Sequence, residues 1–307
     1  MFEKIIKGIK YRLDEDSLTA VVIRKKDYKG NIVIPENVVS KNLSYRVTRI
    51  GNSAFYRCWD LMSITIPKSV THIGKYAFTY CKSLTTIRIP DSVTSIGKGA
   101  FSDCESLTSI TIPEGVTSIA DHAFGWCTGL LNVVIPDSIT SIGKYTFSNC
   151  KSLTTIRIPD SVKSIGNSAF FYCKSLTTIR IPDSVTSIGE GAFSNCESLT
   201  SITIPDSVKS IGNWAFFYCK SLTSITIPES VTSIADHAFS CCDSLTTVRI
   251  PDSVKSIGNG AFFMCETLSN IIFNGTIEQW KNIEIEKKLN LGVPATTVHC
   301  SDGDVEL

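Results

Sequence analysis

Apolar and polar positions repeat along most of the chain with a fixed spacing. In one copy, Ile87 and Ile89 alternate with polar neighbours, which predicts a short strand with one buried face. Pro90 follows and would end that strand, because proline has no N–H to donate to a ladder. The rest of the copy predicts a short extended piece at 93–96 and a single helical or 3₁₀ turn at 100–104.

The spacing is 23 residues, and cysteine, proline and phenylalanine all keep it over more than 200 residues. A unit of this length cannot bury its apolar face alone, so neighbouring units must stack and share one continuous core. The pattern therefore predicts the coils of a repeat solenoid. The cysteines of the series are Cys58, Cys81, Cys104, Cys127, Cys150, Cys173, Cys196, Cys219, Cys242 and Cys265.

The repeat, L-x-x-I-x-I-P-x-x-V-x-x-I-G-x-x-A-F-x-x-C, resembles the bacterial BspA-like leucine-rich repeat, also called the Treponema-type repeat. The resemblance spans ten units, and its departures are few, such as Ala120 and Ala235 in place of glycine. It implies a curved, right-handed leucine-rich repeat array of short parallel strands with short helical or 3₁₀ turns. It also implies a non-enzymatic, adhesin-like protein, secreted or on the bacterial surface, that contacts host or bacterial proteins.

Both ends of the chain depart from the period, and a solenoid needs caps over the core of its last coils. We expect one continuous domain, with a β-rich N-terminal cap at residues 1–45, ten repeats at 46–268 and a small C-terminal cap at 269–307. Within the C-terminal cap, residues 276–289 predict a short helix around Trp280. The predicted strands of the two caps are residues 11–13, 18–23, 31–35 and 296–298.

Charge and hydropathy narrow the classes of partner. The 30 Lys and Arg balance 29 Asp and Glu, so a nucleic-acid partner is not expected. Apolar runs are far shorter than a membrane span, which predicts no membrane insertion. Charges at Glu3 and Lys4 interrupt the stretch that a signal peptide would need. Either a leader has been removed or the protein is cytoplasmic, and in the second case the alternative function is an intracellular interaction scaffold.

Arginine occupies the position between the two buried strand residues in four units, which we call the arginine stripe. In leucine-rich repeats this position faces outward, so the arginine stripe is a candidate ligand-binding surface for a protein partner. The alternative is a solvated strand face on which each arginine lies near the acid after proline, a pairing that contributes little to stability. The arginine stripe comprises Arg88, Arg157, Arg180 and Arg249.

Aromatic residues around the repeated phenylalanine form a second candidate ligand-binding surface, which we call the aromatic patch. An exposed aromatic cluster would mark a protein contact. Alternatively, these rings are partly buried between neighbouring coils. The aromatic patch comprises Phe171, Tyr172, Trp214, Phe217 and Tyr218.

The regular cysteines predict buried thiols in small core positions. They lack the paired spacing of a zinc site, and parallel inward side chains suit disulfide geometry poorly. Cys241 and Cys300 fall outside the series and are predicted to be the more reactive thiols. No nucleophile motif, phosphate-binding loop or metal-ligand cluster is recognisable, so we assign no catalytic residue, metal or cofactor and expect no enzyme.

Overall fold

A computed structural model describes residues 1–286, 289 and 291–307. The chain divides into two compact units, Met1–Cys150 and Lys151–Leu307. Both units are built from the predicted coil, and within the described residues helix is confined to one short element. The chain is therefore a solenoid of parallel strands, as predicted.

The first unit joins the N-terminal strands to the first coils. In one of its sheets the strand order is β1-β2-β3-β6-β8-β10, antiparallel up to β3 and parallel from there on, with β5 antiparallel to β6. The strands β4, β7 and β9 pair in parallel, as do β11 and β12. The strands of this unit are β1 (Phe2–Ile6), β2 (Ile9–Asp14), β3 (Thr19–Val22), β4 (Gly30–Val33), β5 (Asn37–Ser40), β6 (Leu43–Ile50), β7 (Leu61–Thr65), β8 (His72–Ile73), β9 (Thr86–Arg88), β10 (Ser95–Ile96), β11 (Ser109–Thr111), β12 (Asn132–Val134) and β13 (Ser141–Ile142).

The elements of the second unit are β14 (Thr155–Arg157), β15 (Ser164–Ile165), β16 (Thr178–Arg180), β17 (Ser187–Ile188), β18 (Ser201–Thr203), β19 (Ser210–Ile211), β20 (Ser224–Thr226), β21 (Ser233–Ile234), β22 (Thr247–Ile250), β23 (Ser256–Ile257), β24 (Asn270–Phe273), α1 (Ile277–Lys281), β25 (Glu284–Ile285), β26 (Thr297–Cys300) and β27 (Gly303–Glu306). The longer strands pair in parallel as β14-β16-β18 and β20-β22-β24-β26, and β27 closes the second set in an antiparallel hairpin. The two-residue strands form separate parallel sets, β15-β17-β19 and β21-β23-β25.

Each coil buries the apolar positions that the repeat pattern selects. In the copy that contains β9 and β10, the apolar side chains at 84–104 are all buried, and the most exposed of them, Ile87, is only 8% exposed. The two neighbours of Ile87 in β9 are exposed, so the strand has one inward and one outward face. The predicted alternation and core are therefore confirmed.

The segment between the two-residue strand and the cysteine consists of hydrogen-bonded turns. The N–H of Cys104 donates to the carbonyl of Phe101 at 3.3 Å, as in a tight turn. The N–H of Phe101, however, donates to Ala123 in the next coil at 2.8 Å. Left-handed backbone at Gly99 (φ 60°) and Asp103 (φ 58°) interrupts any continuous helix. The expected helical or 3₁₀ turn thus takes the form of separate turns tied to the neighbouring coil.

Phenylalanine rings and cysteine thiols stack in the core of both units. The rings of Phe193 and Phe216 lie 5.4 Å apart and within 6° of parallel, an offset-stacked arrangement. Cysteine thiols of the series donate to phenylalanine carbonyls of the preceding coil, as Cys196 does to Phe170 at 3.3 Å. All ten are buried and unbridged, which confirms the predicted thiol core.

Serine and threonine hydroxyls tie adjacent coils together near the surface. Ser207 Oγ donates to the carbonyl of Val185 at 2.7 Å, and Ser230 Oγ donates to that of Val208 at 2.5 Å. The same contact recurs in coil after coil because the sequence repeats in register. These hydroxyl contacts, like the stacked core, depend only on the presence of a neighbouring copy.

The N-terminal segment contains more strands than the sequence pattern predicts. The predicted strands at 11–13, 18–23 and 31–35 correspond to β2, β3 and β4. In addition, β1 pairs with β2, and β5 pairs with β6. Since β6 runs continuously through Leu43–Ile50, residue 45 lies inside a strand. The division into a 1–45 cap, a 46–268 array and a 269–307 cap stays a prediction about folding units.

At the C-terminal end, the helix in the structure is much shorter than the predicted 276–289. Thr276 caps α1 by accepting the N–H of Gln279 at 3.2 Å, and the Gln279 side chain accepts the N–H of Thr276 at 2.8 Å. The ring of Trp280 packs on Phe273 with centroids 5.3 Å apart. Instead of continuing the helix, Glu284–Ile285 pairs with β23. Residues 287 and 288, at the predicted helix end, lie outside the described residues.

Candidate functional site

The longer strands of the second unit present exposed polar side chains in rows. In β14, β16 and β18 the outer two residues of each strand are exposed and the central isoleucine is buried. Arg157 and Arg180 are direct neighbours in the register of β14 and β16, and Thr203 follows in β18. Side chains at such positions are about 4.8 Å apart along the sheet. The strand face therefore holds two guanidinium groups side by side.

These three strands line a shallow groove of about 510 Å³. Arg180 Nη1 lies 2.7 Å from Asp160 Oδ1, and this hydrogen bond lowers the pKa of the Asp160 carboxyl. Both side chains are largely exposed, so solvent screens the pair and it contributes little to stability. Arg180 therefore fits the alternative interpretation, in which an arginine lies near the acid that follows proline. The acid belongs to the preceding coil.

The rest of the arginine stripe lies elsewhere. Arg88 is exposed on β9 of the first unit, where Thr65 is its neighbour in register. Arg249 is exposed on β22, between Thr226 and Ile272. Within the second unit the structure brings Arg157 and Arg180 together, and Arg249 lies on a strand of another sheet.

The aromatic patch consists of separate clusters. The rings of Phe171 and Tyr172 lie 5.7 Å apart, and those of Phe217 and Tyr218 lie 5.8 Å apart. All four side chains are half-buried, and the coil between the two pairs carries polar Ser194 and Asn195 at these positions. The interpretation as partly buried rings fits these four residues better than that of one continuous aromatic surface.

Lysines cover the two tyrosines of the aromatic patch. Lys174 Nζ lies 4.6 Å from the ring centre of Tyr172, and Lys220 Nζ lies 4.3 Å from that of Tyr218. Lys174 also pairs with Glu197 at 2.9 Å, a hydrogen bond that raises the pKa of the lysine. Each tyrosine thus has a cation on its face already, which reduces the ring surface open to a partner.

Trp214 is the exposed member of the aromatic patch. It is 40% exposed, and its ring stacks within 2° of parallel on His237, with centroids 6.0 Å apart. Its backbone is left-handed, with φ 54°, and the same is true of Tyr172 and Tyr218. Sequence reasoning missed this conformation. The signal was the presence of glycine or asparagine at the same repeat positions in other coils, for instance Gly191 and Asn195.

A histidine and two cysteines lie outside the arginine stripe and the aromatic patch. His237 Nδ1 lies 3.0 Å from Ser240 Oγ, but that hydroxyl donates to the carbonyl of Gly260 at 2.5 Å. Cys241 and Cys300 are half-buried, and burial raises the pKa of both thiols, so each carries less thiolate at neutral pH than an unperturbed cysteine. In the described part of the chain no three His, Cys, Asp or Glu side chains are grouped to hold a metal ion. Within the same residues, no helix is long and apolar enough to span a membrane.

The coil, its stacked core and its parallel strand face define a leucine-rich repeat solenoid. The family model described as "BspA type Leucine rich repeat region (6 copies)" matches residues 48–177 and 163–291. Because these matches extend over more than half of the sequence, the chain belongs to the BspA-type leucine-rich repeat family. The resemblance seen in the repeat pattern is confirmed.

Solved structures of bacterial leucine-rich repeat proteins share this fold. A leucine-rich repeat protein from Bacteroides ovatus is 30% identical, with 89% of this chain and 85% of that chain covered and a TM-score of 0.63. The leucine-rich repeat protein of T. pallidum is 30% identical, with 72% and 91% covered and a TM-score of 0.51. The pneumococcal vaccine antigen PcpA is 18% identical over 99% of both chains with a TM-score of 0.55, which shows the fold alone. No curated protein matches the chain.

Proposed function

We propose that the chain is a non-enzymatic protein-binding module, a bacterial surface or secreted adhesin-like protein that contacts host or bacterial proteins. The family supports a protein-interaction module, and proteins of this type are typically secreted or attached to the surface. The observation that carries the proposal is the pair of adjacent guanidinium groups, Arg157 and Arg180, in a groove of flat parallel strands.

The chemistry of this strand face favours an acidic segment of a partner protein. Asp160 already pairs with Arg180, so a partner carboxylate placed between Arg157 and Arg180 would compete with that carboxylate for the guanidinium group of Arg180. Guanidinium groups bind carboxylates through two parallel hydrogen bonds, which fixes orientation as well as affinity. The central isoleucine of each strand is buried in the core, so the entropy lost on binding comes mainly from the arginine side chains.

The hydroxyl row beside the arginines adds hydrogen-bonding capacity. Thr155, Thr178 and Ser201 are neighbours in register on β14, β16 and β18, and all are exposed. A hydroxyl both donates and accepts, so this row accommodates the backbone or side chains of many sequences. We expect the arginines to select the charge of the partner and the hydroxyls to tolerate variation in it.

The proposal is tested by capture of proteins from host matrix extracts and from bacterial surface extracts, followed by binding measurements with each purified captured protein. We expect the Arg157→Ala/Arg180→Ala variant to have a dissociation constant about tenfold higher than wild type, a loss of about 1.4 kcal/mol in binding free energy. Arg249→Ala is the matched control, since it removes the same group from the same repeat position outside the groove. Equal affinity for the double variant and wild type would remove this strand face from the function.

An intracellular interaction scaffold is the second candidate. It is favoured by the buried, unbridged thiols, since disulfides are common in secreted proteins and rare in the cytosol. Fractionation of the native cells, with detection of the protein in surface, medium and cytosolic fractions, separates the two candidates. Recovery in the cytosolic fraction alone would contradict the adhesin proposal.

A further inference from the structure

A second groove, of about 670 Å³, lies in the first unit on the outward side of the sheet that joins the N-terminal strands to the first coils. Its lining carries one carboxylate, that of Glu3, and five cations, so the local charge is 5 − 1 = +4. The whole chain carries only +1. The five cations of this basic groove are Lys10, Arg12, Arg24, Arg49 and Lys75.

Strand pairing places four residues of the basic groove in one row across the sheet, next to a register shift in β3 between Ala20 and Val21. Arg12 is the register partner of Val21, Val21 of Arg49, and Arg49 of His72. These four residues lie on β2, β3, β6 and β8, so the row crosses four strands and is about 14 Å long. A linear ligand laid along this row would run across the strands and meet a cation or imidazole at most steps.

Glycines separate this row from a further cation. In the coil that begins with β8, Gly74 lies between His72 and Lys75, and Gly51 takes the equivalent position one coil earlier. A Cβ at Gly74 would come within 2.6 Å of the backbone nitrogen of Asn52, so packing between coils excludes any side chain there. The middle of the groove therefore presents bare backbone, with positive groups on both sides of it.

Two of the five cations have no side-chain partner among the described residues. The side chains of Arg49 and Lys75 are exposed and make no hydrogen bond or ion pair there. Lys10 and Arg12 are held by Glu3 at 2.7 Å and 3.3 Å, and these contacts lower the pKa of the Glu3 carboxyl. The groove thus has an internal acid that neutralises part of its charge and leaves Arg49 and Lys75 available.

The lining favours a charged, hydrated polymer over a protein segment. Protein partners are usually anchored by an apolar side chain in a pocket. Of the apolar side chains that line this groove, Ile23, Ile50 and Ile73 are buried and Val21 alone is half-buried, so the apolar surface open to a partner is small. Carboxylate and sulfate groups on successive sugars need only regularly spaced cations, and guanidinium binds oxyanions with two hydrogen bonds.

We propose that the basic groove binds an acidic polysaccharide, one that carries carboxylate or sulfate groups on successive sugars. The site involves none of the residues of the strand face around Arg157 and Arg180. It would give the protein a second ligand of a different chemical class, bound by the first unit alone.

The test uses the full chain and two fluorescein-labelled probes, a heparin octasaccharide for sulfate and an oligogalacturonate for carboxylate, with anisotropy as the readout. We expect binding that weakens steeply between about 50 mM and about 200 mM salt, because the contacts are ionic. Arg49→Gln/Lys75→Gln is expected to raise the dissociation constant for both probes by about tenfold or more. Lys144→Gln/Lys163→Gln, which removes two exposed lysines outside the groove, is the matched control and should bind as wild type does.

A gain-of-binding variant guards against loss through misfolding. Glu3→Gln removes the acid of the groove and frees Lys10 and Arg12, so both probes should bind more tightly to it. Arg157→Ala/Arg180→Ala should leave probe binding unchanged, which keeps this test separate from that of the strand face. The proposal is overturned if the groove variants bind the probes as wild type does. It is also overturned if a poly-glutamate peptide or single-stranded DNA binds as tightly as both glycans.

Discussion

At the scale of single residues, the left-handed positions of the coil are the unexpected feature. A bulky L-residue in that conformation costs roughly 1–2 kcal/mol. Trp214 nevertheless adopts it, because its N–H donates to the carbonyl of Asp236 in the next coil at 2.9 Å and its ring stacks on His237. Contacts with the neighbouring coil therefore override the local preference of the residue.

This conformation predicts an inverted order of stability at position 214. Trp214→Gly and Trp214→Ala both remove the ring, but only alanine retains a Cβ in the left-handed region, where φ is 54°. We expect the glycine variant to be more stable than the alanine variant by about 1 kcal/mol. The free energy of unfolding in urea, measured for both variants, checks this.

The control is Lys209, an exposed residue that is not among the positive-φ positions. There, alanine should be more stable than glycine by about 0.5–1 kcal/mol, the usual order. If Trp214→Ala proved as stable as Trp214→Gly, the backbone at 214 would not be held in the left-handed region in solution.

At the scale of elements, the sequence predicts those strands whose position and register are set by the burial of apolar side chains. Alternation around Ile87 identifies β9, and the period of 23 implies that Arg157 and Arg180 are neighbours on paired strands. The turn at 100–104 has the spacing of a helical turn, but its backbone hydrogen bonds go partly to the next coil, which a single copy cannot reveal.

The N-terminal strands show a second limit of the sequence pattern. Strand β6 does carry a signal, since Tyr45 and Val47 alternate with polar residues and are buried. Strand β1 has no buried residue and hence no alternation to detect. The basic groove could not be foreseen, because it depends on the pairing of β3 with β6 across a connection that contains other strands.

Phenylalanine stacking gives a prediction at this scale. Phe193 is fully buried between Phe170 and Phe216, with ring centres 5.4 Å from each. Phe193→Ala leaves a cavity and removes two stacking contacts, so we expect a loss of about 3–5 kcal/mol in the free energy of unfolding. Chemical denaturation followed by circular dichroism measures this.

Phe171→Ala is the matched control for the stack, since the same side chain is removed from a half-buried position outside it. The loss there should be markedly smaller. Equal losses for the two variants would mean that the stacked core is no more important to stability than the surface aromatic residues.

At the scale of the whole molecule, we propose that caps and repeats fold as one continuous domain. The C-terminal elements continue the pairing of the array, since β24 pairs with β22, and β26 pairs with β24 before β27 turns back. The antiparallel hairpin ends the parallel series, and Trp280 covers Phe273. An array without these elements would end in the unpaired edge of β22.

Deletion of residues 269–307 tests this role of the C-terminal end. The shortened chain exposes a strand edge and the core of its last coil, so we expect a lower melting temperature and soluble aggregates. Differential scanning calorimetry and light scattering after size-exclusion chromatography measure the two effects. Deletion of 303–307 alone, which removes only β27, should have a much smaller effect. A monomeric 1–268 chain with an unchanged melting temperature would contradict the capping role.

The hydroxyl and thiol contacts between coils have a consequence for how such a chain can change length. Residues 162–173 and 208–219 differ only at Ser168 and Trp214, and each coil needs nothing from its neighbours except another copy in register. Unequal recombination between the repeats that encode them would delete or add 46 residues at once, yet leave every ladder contact to be remade by the new neighbour. The number of coils, and with it the extent of the strand face, can therefore vary among strains. Each variant in such a series would still encode a chain that folds.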